Sequence, residues 1–249
     1  MSSLRTANLS PIPILMYHQI EVAPPRGAAF RSLYVSSCAF ARQMFVLKLL
    51  GYQGLSMSAL LPYLKGEKTG KVVGITFDDG YLNNLTNALP VLRKHGFSST
   101  CYAVSQKLGK TNDWDHDAGI APTPLMNASQ LRQWLAGGQE VGAHTRHHVR
   151  LTQAAASTCV DEISLSKSEL EAMTDAPVRH FCYPYGDYTA EHVAMAKAAG
   201  FESVTTTQRS RCQSGEDMLQ LPRVPVVRST LLPFFLLKAA TAYEDRRRA

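Results

Sequence analysis

The chain has 249 residues, of which 45% are apolar and 18% are charged, and its formal net charge at pH 7 is +6. This length suits one large domain or two small ones, and the composition is that of a globular protein rather than of a disordered chain. No apolar run is long enough to span a bilayer, so a transmembrane helix is not expected.

The amino terminus and the cysteines predict the compartment. The first residues lack the cationic segment and the unbroken apolar stretch of a secretion signal, because Pro11 and Pro13 interrupt the first apolar residues. The five cysteines are odd in number and have no CxxC spacing, so neither a disulfide framework nor a thiolate zinc site is expected. A cytoplasmic protein with reduced thiols is the simplest prediction.

Taken in chain order, the predicted elements alternate between strands and helices. Apolar, β-branched runs predict strands, and apolar residues at helical spacing followed by glycine predict helices. Strands are predicted over 13–17, 72–77, 100–104, 139–143, 180–183 and 201–205, and helices over 39–50, 83–95, 129–136, 152–173 and 190–199. Repeated strand–helix units predict a parallel α/β sheet, either open or closed into a barrel.

Two further segments stand outside this alternation. The long stretch 106–127 predicts a functional loop, in which Trp114 either stacks on a sugar or packs on the loop itself. The apolar segment 231–237 precedes Arg246–Arg248 and predicts a final helix at about 230–245. Such a helix either packs on the domain or lies on anionic lipid at the inner face of a membrane. Nucleic acid is not expected as a partner, because no recognition-helix pattern is present.

The strand 72–77 ends in two adjacent carboxylates, Asp78 and Asp79, followed by Gly80. Two buried like charges repel each other and raise one pKa unless a cation or a proton lies between them. This pair therefore predicts a site where one carboxylate binds a metal ion and the other handles protons.

A second informative stretch, 144–148, follows another predicted strand and contains His144, His147 and His148. Histidines four residues apart face the same way if the turn is helical, and the carboxyl ends of parallel strands share one face of the fold. Two histidines and one carboxylate leave coordination positions open, as a catalytic metal requires. The same ligands would also suit a non-haem iron oxygenase.

Three motifs together resemble a known family. Thr76-Phe77-Asp78-Asp79-Gly80, His144-Thr145-Arg146-His147-His148 and Phe181-Cys182-Tyr183-Pro184-Tyr185-Gly186 are similar, in order and spacing, to the first three motifs of the polysaccharide deacetylase (NodB-homology) family, carbohydrate esterase family 4. The resemblance covers about 13–227. It implies a distorted (β/α) barrel in a single domain over 13–249, preceded by an extension at 1–12. It also implies metal-dependent removal of an N-acetyl group from an amino sugar in a polysaccharide, an oligosaccharide or a glycolipid precursor.

The resemblance also implies roles for individual residues. Asp79, His144 and His148 would bind the metal ion, and Asp78 would be the general base. The backbone N–H of Tyr185 would contribute to the oxyanion site. Zinc is the expected metal, although nickel and cobalt bind similar ligand sets.

The chain departs from the family pattern at two positions. Many members carry an arginine in the third motif that orients the base, but Cys182 and Tyr183 occupy those positions here, so Arg223 is the predicted substitute and Arg179 the alternative. The late histidine that supplies the general acid is also missing, and His18 is predicted to take that role. These departures keep open a non-catalytic carbohydrate-binding relative and a hydrolase of another small amide.

Overall fold

Ten strands are present in the computed structural model of the chain, which describes residues 10–116, 119–120 and 122–248. They are β1 (Ile14–Tyr17), β2 (Gln19–Ile20), β3 (Tyr34–Val35), β4 (Gln53–Leu55), β5 (Val72–Phe77), β6 (Thr100–Ala103), β7 (Glu140–Ala143), β8 (His180–Cys182), β9 (Ser203–Arg209) and β10 (Leu221–Pro225). All pairings between them are parallel.

Seven of these strands close into a barrel in the order β1-β5-β6-β7-β8-β9-β10, because β1 pairs with both β5 and β10. Strand β4 adds to β5 outside the ring, and β2 pairs with β3 in a separate small sheet. The predicted distorted (β/α) barrel is therefore confirmed.

Six of the seven helices in the described residues lie in connections between strands, as expected for parallel neighbours, and the last helix follows β10. They are α1 (Ser37–Leu49), α2 (Met57–Leu64), α3 (Leu89–His95), α4 (Ala128–Ala136), α5 (Ala156–Thr174), α6 (Ala190–Ala198) and α7 (Leu232–Ala240). Local sequence explains their limits: α4 begins at a capping box formed by Asn127 and Gln130, and α3 ends where Gly96 adopts a left-handed conformation.

Several element limits differ from the predictions. The predicted helix 83–95 begins as a π-helical segment, Asn84–Ala88, and the predicted helix 152–173 begins with a separate 3₁₀ turn, Leu151–Gln153. The final helix covers only α7, since Thr241 has extended backbone angles and ends it. Strands β2, β3, β4 and β10 and helix α2 were not predicted. Strand β10 contains Pro222 and Pro225, which weaken a strand signal.

The alternation of side chains along β5 determines which of them face the barrel interior. Phe77 points outward into an aromatic cluster with Tyr17, Phe40 and Trp134, with ring centroids 5.6 to 5.8 Å from Phe77. Successive strand residues face opposite sides, so Thr76 faces the interior, where its hydroxyl accepts a hydrogen bond from Arg223. The apolar cluster that contains Phe77 therefore lies between the barrel and the helices, and polar groups line the inside near the site.

Two arginines that precede the last helix form ion pairs within the fold. Arg209 pairs with Glu244 at 2.8 Å, and Arg211 pairs with Asp245 at 2.7 Å. No helix in the described part of the chain is both long and apolar enough to cross a membrane. Contact with anionic lipid and a cytoplasmic location stay predictions, and co-sedimentation with anionic vesicles would test the first.

The predicted extension at 1–12 falls mostly outside the described residues, which begin at residue 10. Ile12 exchanges backbone hydrogen bonds of 2.9 and 2.8 Å with Cys212 in the β9–β10 connection. The predicted domain limits stay a prediction.

Candidate active site

A buried group of three side chains lies at the carboxyl ends of β5 and β7. The Nε2 atoms of His144 and His148 lie 3.4 and 3.3 Å from Oδ1 of Asp79. One ligand atom from each residue lies within 4.8 Å of the others. The sequence predicted this group as the metal ligands, and the fold brings all three together.

The loop that carries the two histidines is not helical, in contrast to the helical turn considered from their spacing. Thr145 and His148 have left-handed backbone angles, with φ of 62° and 61°. The Thr145 hydroxyl accepts a hydrogen bond from the His148 N–H at 2.9 Å and donates one to the His144 carbonyl at 2.6 Å. This local bonding, rather than helical periodicity, turns both imidazoles towards Asp79.

The neighbours of each ring distinguish the histidines. Nδ1 of His144 donates to the carbonyl oxygen of Cys182 at 2.7 Å, which leaves its Nε2 facing Asp79. His147 instead contacts Glu162 and is 45% exposed, so its side chain lies away from Asp79. The histidine beside Asp79 and His144 is therefore His148.

The residues present fit a divalent cation. Burial by itself raises the pKa of Asp79, but hydrogen bonds from His144 and His148 bring it well below its ordinary value, so the carboxylate is charged. Burial lowers the pKa of His148, which favours the neutral imidazole that binds metal, and its Nδ1 is buried without a hydrogen-bond partner among the described residues. Two imidazole nitrogens and one carboxylate oxygen are a donor set that zinc accepts.

The surroundings of His144 shift its pKa upwards. Burial alone lowers its pKa, but the adjacent Cys182 and Asp79 groups raise it well above the ordinary value. A proton and a metal ion therefore compete for this ring. Metal binding should therefore displace a proton and weaken as the pH falls.

Asp78 has a different partner from Asp79. Two nitrogens of the Arg223 guanidinium donate to its two carboxylate oxygens at 2.7 and 2.8 Å. Arg223 is fully buried, and it also donates to the Thr206 carbonyl and the Thr76 hydroxyl at 2.8 and 3.1 Å. Arg179, the alternative from sequence, forms an exposed pair with Glu202 instead.

The pKa of Asp78 reflects this pairing. Burial by itself raises the pKa of the carboxyl group, but the charge and hydrogen bonds of Arg223 bring it below its ordinary value. Asp78 is therefore an ionised carboxylate with a fixed orientation, although it lies inside the barrel end.

His18 lies beside Asp78 because β1 and β5 pair in register, Tyr17 opposite Phe77. Both residues leave their strands at the same level, and Nε2 of His18 lies 3.8 Å from Oδ2 of Asp78. The His18 side chain is 18% exposed and reaches the pocket described below. It can therefore contact both Asp78 and a bound molecule.

Tyr185 forms part of the opposite wall. It lies in the turn Pro184–Gly186 with a left-handed φ of 59°, and its ring centroid lies 4.6 Å from that of His148. Position 186 requires glycine, because the Cβ atom of any other residue would lie 1.8 Å from the Thr207 hydroxyl oxygen. The Tyr185 hydroxyl donates to Asp115 at 3.0 Å, which ties this turn to the long loop.

These side chains enclose a pocket of about 230 Å³. Pockets that enclose drug-sized ligands are usually about 300–1,000 Å³, so this one suits a single group or ring of a larger molecule. Its lining consists of Met16, His18, Gln19, Phe30, Leu33, Tyr34, Asp78, Asp79, Tyr81, Trp114, Asp115, Ile120, His144, His148, Tyr183, Tyr185 and Thr207. Trp114 stacks on His148 at 4.4 Å, so it belongs to the pocket wall rather than only to its own loop.

Sequence reasoning missed two groups of residues at this site. Phe30 and Leu33 line the pocket from the β2–β3 connection and Tyr34 from the start of β3, although no motif marks them. Glu162, on α5, contacts the loop at 144–148. From sequence alone, a single glutamate on a long helix is expected to be a surface residue. An aromatic residue in a proline- and glycine-rich loop was the only available signal for the first group.

Comparisons with known proteins give a consistent result. A sequence model described as polysaccharide deacetylase matches residues 65–204, more than half of the chain. YxkH of Bacillus subtilis (strain 168), whose name refers to the same family, is 28% identical over 225 residues, covering 90% of this chain and 74% of that protein. Poly-β-1,6-N-acetyl-D-glucosamine N-deacetylase of Staphylococcus aureus (strain MRSA252) is 22% identical over 200 residues, or 76% of this chain and 67% of that protein. The structure of the Streptococcus pyogenes deacetylase PplD in complex with acetate is similar with a TM-score of 0.81 and 25% identity, covering 94% of this chain and 100% of that one.

Proposed function

The chain belongs to the polysaccharide deacetylase family, and on that premise we propose that it is a metal-dependent hydrolase that removes the N-acetyl group from an N-acetylated amino sugar. The substrate would be a polysaccharide, an oligosaccharide or a glycolipid precursor. Water and the amide would yield acetate and a free amine on the sugar.

The observation that carries the proposal is the different environment of the two adjacent carboxylates. Asp78 contacts Arg223 and His18, whereas Asp79 contacts His144 and His148. Like charges that occupy separate environments can take separate roles, one as a metal ligand and the other as a base.

Asp79, His144 and His148 would hold a divalent cation, most simply zinc, with nickel or cobalt as alternatives. When bound, that cation supplies Lewis-acid chemistry, since it polarises the amide carbonyl and lowers the pKa of water. The open pocket in front of the three residues leaves room for both reactants.

The remaining steps belong to the protein's own groups. Asp78 accepts the proton of the attacking water, and Arg223 keeps the carboxylate ionised and oriented for that transfer. The backbone N–H of Tyr185 donates a hydrogen bond to the oxygen that becomes negatively charged. His18 donates a proton to the departing amine nitrogen, so that a neutral amine leaves.

Acetate release from N-acetylglucosamine oligomers tests the proposal. The protein should release acetate from β-1,6- or β-1,4-linked oligomers, lose this activity when a chelator removes the metal, and regain it with zinc, nickel or cobalt. Asp79→Ala should stay inactive under all three metals, because the carboxylate ligand is missing. If the protein binds the sugar but releases no acetate with any of the metals, a non-catalytic carbohydrate-binding protein is favoured. If it is active only on small amides, a hydrolase of another small amide is favoured.

His18→Gln tests the assignment of the general acid. We expect kcat to fall by about 10²- to 10⁴-fold, the usual contribution of a positioned acid or base. The alkaline limb of the kcat–pH profile should also disappear, because glutamine carries no ionisable proton. His95→Gln is the matched control, because His95 lies at the end of α3 and outside the pocket lining. Wild-type kcat and an unchanged pH profile in His18→Gln would remove His18 from this role.

A further inference from the structure

Helix α5 presents two carboxylates, Glu162 and Glu169, to the loops at the carboxyl ends of β6 and β7. We propose that Glu162 is the positioning residue of the metal centre. Its carboxylate fixes the backbone between His144 and His148, so that both imidazoles face Asp79. The inference rests on the proposed function only in requiring that this centre binds a metal ion.

The contacts of Glu162 are made mainly with the loop backbone. Oε2 accepts hydrogen bonds from the N–H groups of Arg146 and His147 at 2.8 and 2.9 Å. Oε1 lies 2.6 Å from Nδ1 of His147. Two successive N–H groups directed at one anionic oxygen form a nest, and bonds to a charged acceptor are stronger than neutral ones. Glu162 is only 4% exposed, so water competes little for these bonds.

The loop needs such support because of its conformation. Thr145 and His148 both have left-handed φ angles, which are uncommon for residues other than glycine and are retained only when the surroundings impose them. The Thr145 hydroxyl fixes the two ends of the turn through His144 and His148. Glu162 fixes the N–H groups of Arg146 and His147, so the hydroxyl and the carboxylate together account for the turn.

The carbonyl groups of the same loop are also held. The N–H groups of Ser105 and Gln106 donate to the carbonyls of Thr145 and Arg146 at 3.2 and 3.0 Å. The loop is thus bonded on one side by the β6 end and on the other by α5. Release of the Glu162 contacts would free the backbone on one side only, which should loosen the ligands without unfolding the barrel.

Glu169 provides a matched control on the same helix. It accepts hydrogen bonds from the side chains of Ser105, Gln106 and Arg146, at 2.5 to 2.9 Å, so it contacts the loop at 144–148 through a side chain rather than through the backbone. His147→Ala provides a second control, because it removes the imidazole that contacts Glu162 and keeps both backbone bonds.

The test measures zinc affinity in the absence of substrate, by competition with a chromogenic chelator. Glu162→Gln should weaken zinc binding by about 10- to 100-fold, the usual effect of removing a group that supports a metal ligand. Glu169→Gln and His147→Ala should change it by only a few-fold. With excess zinc, the kcat of Glu162→Gln should recover most of the wild-type value, which a general loss of folding would not allow.

Unchanged zinc affinity in folded Glu162→Gln would overturn the inference, and so would an equal loss in Glu169→Gln. If Glu162→Gln does not fold, Glu162→Asp keeps the charge on a shorter side chain and should show an intermediate loss; wild-type affinity there would also overturn the inference. Zinc binding that depends on Glu162 in a protein without deacetylase activity would contradict the proposed function alone.

Discussion

Asp78→Asn is expected to lower kcat for acetate release by about 10²- to 10⁴-fold at saturating zinc. Asparagine has nearly the shape of aspartate, but its amide cannot accept the proton of the attacking water. Zinc affinity should change little, because the proposed carboxylate ligand is Asp79, which lies beside His144 and His148, whereas Asp78 is paired with Arg223. A loss of turnover with retained metal binding would separate the two adjacent carboxylates by function.

The measurement combines acetate release, zinc titration and thermal unfolding. Asp113→Asn is a suitable control, since Asp113 lies in the long loop near the pocket but forms an exposed pair with Lys107. It should keep wild-type kcat. Full activity in Asp78→Asn would contradict the base assignment, whereas loss of zinc binding in this variant would indicate that Asp78 itself helps to hold the metal.

The barrel could be predicted from the sequence because its strands are mostly buried on both sides. Val72–Phe77, for instance, is buried at every position and is rich in β-branched and apolar residues. Strand β10 gave no such signal, since it contains two prolines and a charged residue. Those features are tolerated where its register against β9 shifts between Leu221 and Arg223.

The candidate site was predictable where its residues follow strands and only in part elsewhere. The spacing of His144 and His148 suggested a helical turn, but the left-handed angles of Thr145 and His148 arise from hydrogen bonds that the spacing does not encode. Glu162 lies far along the chain from β7, and its contact depends on how α5 packs on the barrel. A contact of this kind can be identified only once the fold is known.

Arg223 shows what the sequence could predict and what required the fold. Its role was inferred from an arginine missing elsewhere, and the choice between Arg223 and Arg179 needed the strand order. Strand β10 pairs with β1, which pairs with β5, so Arg223 reaches Asp78 through the barrel interior. Arg179 lies next to the amino-terminal end of β8 and pairs with Glu202, on the side of the barrel away from the site.

Arg223→Met is expected to destabilise the protein by about 3–5 kcal/mol at neutral pH, because it leaves the Asp78 carboxylate buried without its counter-ion. Urea unfolding would measure the difference in the free energy of unfolding. Arg179→Met is the matched control: its ion pair with Glu202 is about half exposed, so its loss should cost about 1 kcal/mol or less. Equal effects in the two variants would contradict the structural importance of the Arg223–Asp78 pair.

In Arg223→Met the pH dependence of stability should also change, and the direction of the change follows from the pKa of Asp78. In the wild type, Arg223 holds the pKa of Asp78 below its ordinary value, so the stability that this carboxylate contributes is present above the unfolded pKa and is lost as the pH falls through the folded pKa. Without Arg223, burial dominates and raises the pKa of Asp78 above the unfolded value. The folded variant then binds a proton more readily, so the difference in the free energy of unfolding between wild type and variant should narrow as the pH is lowered from neutrality.

For the same reason the acid limb of kcat/KM in Arg223→Met should move to higher pH, since only ionised Asp78 can accept the proton from water. An acid limb at the wild-type position would show that the group titrating there is not Asp78.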